Sequence, residues 1–279
     1  MERFGARLQM AMNLHGPICV GIDPHPGLLA AWGLPDDVDG LNRFAETAVD
    51  ALAGRVAAVK PQSAFFERFG SRGVAVLEST IRQLTARQTL VILDVKRGDI
   101  GSTAAAYADA YLDPGSPLAA DAITVSPYLG VGALRPMVDK ALAGGRGVFV
   151  LARTSNPEGG PIQSARRADG RTVAQSVIDE ISLFNDGVEP FGDIGVVVGA
   201  TIDAGLIDLT KINGTILVPG LGAQGGKAEN LRAALGLSGG SVLPSYSREI
   251  LRAGPDVTGL RAATDRARDA CVRALTIPT

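Results

Sequence analysis

The chain is poor in cysteine and histidine and carries no surplus of either charge. Only Cys19 and Cys271 are present, near opposite ends of 279 residues. That excludes a disulfide framework and suits a reducing compartment, and each thiol reads as a small core or half-buried side chain. His15 and His25 are the only histidines. Without a matching carboxylate cluster they make a poor metal site and read as loop or surface residues. Twenty-seven basic residues stand against 29 acidic ones, so no general cationic face exists for a nucleic-acid backbone. Any anionic ligand must be held by a local site. No run of 18 consecutive apolar residues occurs, which excludes an apolar membrane-spanning helix. The opening segment, MERFGARLQMAMNLHG, has charges every few positions where a signal peptide has an apolar block. The expectation is a cytoplasmic protein. No composition shift marks a linker, so one domain over residues 1–279 is expected.

What the chain does contain is a series of short β-branched runs separated by helical patterns. They lie at 18–23 (ICVGID), 56–61 (VAAVKP), 89–96 (TLVILDVK), 122–125 (AITV), 147–154 (GVFVLART), 194–200 (IGVVVGA), 215–220 (TILVPG) and 241–246 (SVLPSY). Helical spacing fills 41–54, 73–87, 102–112, 130–143 and 172–186, with a closing helix at 260–275. Segments 203–211 and 229–237 predict only short or irregular helices. Nearly continuous apolar strands are those of a parallel sheet covered on both faces. Eight of them with alternating helices predict a closed (β/α)8 TIM barrel. A doubly wound open sheet is the alternative, but no strand is followed by G-x-G-x-x-G. The one long loop, 155–170, is rich in Gly, Pro, Ser and Arg and has the length of a functional lid.

In such a barrel the active site lies at the C-terminal ends of the strands, and polar residues collect there. Asp23 ends the first run, Lys60 the second, Asp94 and Lys96 the third, and Thr154 with Ser155 the fifth. Strand alternation points Asp94 and Lys96 to the face shared with Leu90 and Ile92, the barrel interior. Taken singly, Lys60 could snorkel from a strand end, Asp99 could cap the helix that begins near Ser102, and Asp23 could be a turn aspartate before Pro24. As a set, Lys60, Asp94, Lys96 and Asp99 must pair with one another or serve a ligand, because buried unpaired charge is costly. At ~4 Å and an effective dielectric near 20, each opposite pair is worth roughly 4 kcal/mol before desolvation. After the seventh run, Gly220, Gly222, Gly225 and Gly226 let backbone N–H groups approach an anion. Gln224 and Arg248 could complete a phosphate grip there. The same glycines could also form a flexible turn.

Asp94-Val95-Lys96-Arg97-Gly98-Asp99-Ile100 resembles the D-x-K-x-x-D-I signature of the orotidine 5′-phosphate decarboxylase family. Related keto-gulonate-phosphate decarboxylases and hexulose-phosphate synthases share D-x-K-x-x-D. Four further stretches are similar to the first family: Gly21-Ile22-Asp23, Val59-Lys60-Pro61-Gln62, the D-I-G-x-T element Asp99–Thr103, and the loop from Val218 to Gly226. Ser247-Arg248 resembles its phosphate arginine site, although many members have glycine where Ser247 stands. The long 155–170 segment is similar to that of the longer bacterial, type 2 branch.

The resemblance implies a cofactor-free and metal-free conversion of orotidine 5′-monophosphate (OMP) into UMP and CO2 in de novo pyrimidine biosynthesis. It implies that Lys96 protonates C6, that Asp94 lies beside the substrate carboxylate, and that Lys60 and Asp23 contact the ribose. It further implies that Ser155 bonds the pyrimidine and that Pro219, Gln224 and Arg248 enclose the phosphate. Asp99, Ile100 and Thr103 would reach into the partner's site of a homodimer. Three rivals are a metal-dependent sugar-phosphate lyase of the same superfamily, a Schiff-base aldolase, and a non-enzymatic nucleotide-binding module. A lysine flanked by carboxylates stays charged and is a poor nucleophile, which counts against the aldolase.

Overall fold

The computed structural model describes residues 2–202, 205, 207–223, 225–235 and 241–276. Eight parallel strands close into a barrel in sequence order. They are β1 (Cys19–Ile22), β2 (Ala58–Pro61), β3 (Leu90–Arg97), β4 (Ala122–Val125), β5 (Gly147–Arg153), β6 (Gly192–Val198), β7 (Gly214–Pro219) and β8 (Val242–Tyr246). Pairing of Cys19 with Ser245 and of Val20 with Tyr246 joins β1 to β8 and closes the ring. The (β/α)8 barrel expected from the alternation of apolar runs and helical patterns is therefore the fold.

Each wall helix buries one stripe. In the helix Val38–Leu52 the buried Leu41, Phe44, Ala45, Ala48, Val49 and Leu52 recur three or four residues apart, which is the period of one helical face. Asp37 caps it, its side chain accepting from Gly40 N at 2.9 Å, so one N–H left unpaired by the helix start is satisfied. The closing helix Val257–Leu275 begins the same way, with Asp256 accepting from Gly259 N at 2.8 Å, and packs against Val38–Leu52. The expected helix at 130–143 starts instead as a 3-10 turn, Val131–Leu134, and becomes α-helical over Arg135–Ala143. Pro136 falls in its first turn, where a missing N–H has no partner to lose. Residues 207–211 form no helix, and the described part of 229–237 runs from a 3-10 turn, Ala228–Asn230, into a short helix, Leu231–Leu235. Asp203, Ala204, Leu206 and residues 236–240 lie outside the described residues.

The barrel interior is a separate, smaller core of Cys19, Ala58, Ile92, Ala122, Phe149, Val197, Leu217 and Leu243. Its N-terminal end is stoppered by the helix Phe4–His15, which the sequence reading left unassigned. Phe4, Leu8 and Met12, one helical turn apart, are buried against the interior residues. Phe4 meets the Phe149 ring edge-on at 5.9 Å. Gly147 permits this close approach, since a Cβ there would lie 2.2 Å from the Phe4 ring. Asp193 Oδ1 accepts from Gly5 N at 2.7 Å and fixes the stopper's first turn. With one end filled by apolar side chains, only the C-terminal end can admit a polar ligand.

Candidate active site

A cleft of about 290 Å³ opens at that end, and Asp23, Lys60, Asp94, Lys96, Ser155 and Pro219 all line it. Its floor is apolar, formed by Leu151, Val197 and Leu217. The interior face of β3 carries Ile92 and then Asp94, so the aspartate is the first polar residue above the core.

Asp94 is 7% exposed and Lys60 6%. Lys60 Nζ donates to Asp94 Oδ2 at 2.7 Å, Lys96 Nζ donates to Oδ1 at 2.6 Å, and Thr124 Oγ1 donates to Oδ1 at 2.7 Å. With its amide turned to satisfy both ends, Gln62 donates to Asp94 O at 2.7 Å and to Oδ2 at 3.1 Å. In that orientation its oxygen accepts from Lys96 Nζ at 3.3 Å. Burial alone would drive Asp94 towards its neutral form, but the Lys60 and Lys96 ammonium groups outweigh it and hold the carboxyl well below the usual carboxylate range. Burial likewise works to discharge Lys60. The Asp94 carboxylate, with Asp23, outweighs it and keeps the ammonium above the ordinary lysine range. Asp94 and Lys60 therefore stay charged around neutral pH. Two lysines share one inner carboxylate close to an apolar floor, with Asp23 also on the lining. Cys19 lies within reach of the same field, yet burial pushes its thiol up to about 12, so it behaves as a neutral core residue.

Lys96 reaches Asp94 by a different route from strand alternation. The β3–β4 register runs from Leu93↔Ile123 to Arg97↔Val125, so Asp94, Val95 and Lys96 stand opposite Thr124 alone. Within this bulge Lys96 has φ +45°, a left-handed conformation that costs a non-glycine residue about 1–2 kcal/mol. Bulges re-aim a side chain at just such positions. Here the result is a lysine whose side chain is 44% exposed to the cleft while its ammonium rests on a buried carboxylate. Lys96 N donates to Thr124 Oγ1 at 3.0 Å, and Arg97 Nη2, just beyond, pairs with Glu67 Oε1 at 2.6 Å.

The fourth member of the expected charge array stands apart within this chain. Asp99 is half-buried, and its Oδ1 accepts from Ile100 N at 2.8 Å. Nor does Asp99 cap the following helix: Gly101–Leu112 has Ile100 at its N-cap and no side-chain cap bond. Ile100 is 61% exposed, and neither it nor Thr103 lines the cleft. Arg248 opens a short helix, Arg248–Leu251, directly after β8. It does not line the cleft, but it lies close enough to His25 that, after burial, its charge helps to lower the imidazole pKa. Beside it, Ser247 Oγ and Asp23 Oδ1 are buried without hydrogen-bond partners among the described residues. Both flank Gly21, where a Cβ would lie 3.0 Å from Asp23 Oδ1 and 3.3 Å from Ser247 Oγ. Gly220 and Gly222, after β7, have φ +99° and +69°, which glycine adopts without strain. Gln224 lies outside the described residues.

The loop 155–170 folds back onto the end of β5. It holds a 3-10 turn, Pro157–Gly159, and a helical turn, Gly160–Gln163. Gln163 ties it to the end of β5: its oxygen accepts from Thr154 N and Arg153 Nη1, both at 2.9 Å. Ser155 and Asn156 thereby face the cleft. Gly199 makes room, since a Cβ there would lie 2.9 Å from Ser155 N. Among the polar lining residues, Thr124, Gln62 and Asn156 were given no role in the sequence reading. Thr124 could have been suspected, because it shares a strand face with Ala122 of the interior core.

Comparison with known proteins gives one consistent picture. The family model described as "Orotidine 5′-phosphate decarboxylase / HUMPS family" matches residues 16–263. A Salinispora arenicola protein named orotidine 5′-phosphate decarboxylase is 68% identical over 99% of both chains. One of the same name from Streptomyces coelicolor is 58% identical, over 95% of this chain and 96% of its own. A crystal structure from Streptomyces avermitilis superposes with a TM-score of 0.96 at 56% identity, covering 99% of this chain and 96% of that one.

Proposed function

We propose that this chain, which belongs to the orotidine 5′-phosphate decarboxylase / HUMPS family, converts OMP into UMP and CO2 for de novo pyrimidine biosynthesis, without a cofactor. The observation that carries the reading is the Lys60–Asp94–Lys96 cluster, charged and fixed at the only strand ends the stopper leaves open.

Loss of CO2 from C6 leaves an electron pair the pyrimidine ring delocalises poorly, so the barrier reduction required lies near the top of the ~8–23 kcal/mol enzymatic range. Preorganised charge can supply much of it, because a group already held in place needs no reorganisation as the carbanion forms. Lys96, with its ammonium at the cleft and its backbone anchored, is placed to stabilise that carbanion and then to protonate it. Asp94 would lie against the departing carboxylate. Its repulsion adds a smaller, ground-state contribution. In this reading Lys60 and Asp23 contact the ribose, Ser155 the pyrimidine, and Pro219, Gln224 and Arg248 the phosphate. Asp23 Oδ1, buried and without a partner among the described residues, supports a ligand hydroxyl as its partner. Binding at the phosphate, remote from C6, would close the 155–170 loop and orient the ring.

We further propose a two-fold dimer in which Asp99, Ile100 and Thr103 complete the partner's site. Support comes from exposed apolar side chains on the connections after β3 and β4, at the same end of the barrel: Ile100, Tyr128 and Leu129 are 61%, 80% and 53% exposed. Among the described residues no helix is long and apolar enough to cross a membrane, which agrees with a cytoplasmic location. The test is to follow orotate absorbance on mixing the protein with OMP, before and after exhaustive EDTA treatment. A steady loss of absorbance that survives EDTA is expected. No loss with OMP, or turnover of a sugar phosphate instead, would sink the reading.

A further inference from the structure

We infer that Thr124 is a positioning residue that locks Lys96 and Asp94 into one geometry through its single hydroxyl. The inference rests on the catalytic reading of those two residues. Thr124 is 2% exposed on β4 and is the one residue facing the bulged segment of β3. A bulge leaves its extra backbone groups without ladder partners. The Lys96 N–H finds one in Thr124 Oγ1 at 3.0 Å. Having accepted there, the hydroxyl directs its own proton at Asp94 Oδ1, 2.7 Å away. That same oxygen takes the Lys96 ammonium at 2.6 Å. Lys96 is thus held at both ends, by its main-chain N–H and by its Nζ, and Thr124 links the two.

The geometry makes a left-handed Lys96 self-consistent. Its φ of +45° is unfavourable for a side-chain-bearing residue, and such outliers persist only where the surroundings over-determine them. Ser126 N, donating to Arg97 O at 2.8 Å, pins the far side of the bulge. Between Leu93 and Arg97, however, Thr124 Oγ1 is the only β4 side-chain atom that bonds the bulged residues among those described. Valine in its place would keep the branched shape and the packing. It would leave the Lys96 N–H without its acceptor and Asp94 Oδ1 with the Lys96 ammonium but not the hydroxyl. Small displacements of a group aimed at a developing charge reduce the rate more than they weaken binding.

The experiment compares Thr124→Val with Thr124→Ser and Lys96→Ala in steady-state OMP turnover, with UMP affinity measured beside it. Thr124→Val should lower kcat about 10- to 100-fold, the loss typical of residues that orient primary groups. KM and UMP affinity should change by less than about threefold, because the positioning matters in the transition state rather than in binding. Thr124→Ser, which keeps the hydroxyl, should restore most of kcat. The inference is overturned if the valine variant keeps wild-type kcat, if it changes KM alone, or if serine fails to rescue. Where wild type turns over OMP and Lys96→Ala does not, such a result removes Thr124 while leaving the proposed function standing. Failure of wild type to act on OMP removes both.

Discussion

The left-handed conformation of Lys96 gives a prediction whose sign is opposite to the ordinary one. Replace Lys96 by alanine and, separately, by glycine. Both changes delete the ammonium, its bond to Asp94 and the same amine chemistry, so those losses cancel between the two variants. What differs is the Cβ. At φ +45° the alanine variant keeps a left-handed penalty of about 1–2 kcal/mol, which glycine escapes. Glycine in turn has a more flexible unfolded chain, at a cost of roughly 0.5–1 kcal/mol. Taken at the middle of each range, the difference leaves Lys96→Gly more stable than Lys96→Ala by about 0.75 kcal/mol, whereas in the interior of a regular strand the order is the reverse. For a chain of this size that is a Tm higher by about 1–4 °C, readable by far-UV circular dichroism at fixed pH. Both variants should be inactive towards OMP. Gln88, also left-handed at φ +55° but in a turn remote from the cleft, gives a reference pair of glycine and alanine variants. If Lys96→Ala proves as stable as Lys96→Gly, the strain is absent and the bulge does not hold Lys96 against its own preference.

The remaining expectations test separate parts of the molecule. Asp94 has its folded carboxyl pKa depressed, so its contribution is complete above the unfolded value of about 3.9 and is lost as pH falls towards the folded one. The stability gap between wild type and Asp94→Asn, by urea titration, should thus be flat from about pH 5 to 8 and narrow only below about pH 4; a gap that closes near neutrality would contradict the assignment. Arg248→Ala should cut turnover of OMP severely yet scarcely alter that of orotidine, which lacks the phosphate; equal losses would make Arg248 structural. Phe4→Ala should cost about 3–5 kcal/mol of stability by leaving a cavity in the stopper, with kcat/KM at 25 °C kept within about twofold, and a large loss of activity in the folded variant would mean the barrel's two ends are coupled. Mixing inactive Lys96→Ala and Asp99→Ala subunits should return about a quarter of wild-type activity, since random pairing makes half the dimers mixed and each of those carries one intact site; no recovery would place Asp99 in its own subunit's site.

How far the sequence could be read follows from which physical signals are local. The strands were legible because a parallel strand covered on both faces must be apolar throughout, and all eight lie within a few residues of the expected runs. Lys60 and Asp94 were legible because charge at the end of an apolar strand has few innocent explanations, and the two do pair at 2.7 Å. The stopper helix was not, although Phe4, Leu8 and Met12 repeat every fourth residue. Its apolar residues are interspersed with charges, which mask the helical spacing.

Lys96 shows the harder limit. Strand alternation assigns it to the correct face for a reason the structure does not support, because the bulge that re-aims it is set by pairing with β4, more than 20 residues away in sequence. Thr124 is hidden by the same non-locality. In the run AITV it reads as an ordinary β-former, and its polarity acquires meaning only once β3 lies beside it and presents an unpaired N–H and a carboxylate together. The charge array divides along the same line. Three of its members meet within one chain, while Asp99 turns to a neighbouring backbone N–H on the rim. A pattern of alternating charge in sequence therefore locates the site, but the partners of each charge are decided by strand register and by the turn that follows the strand.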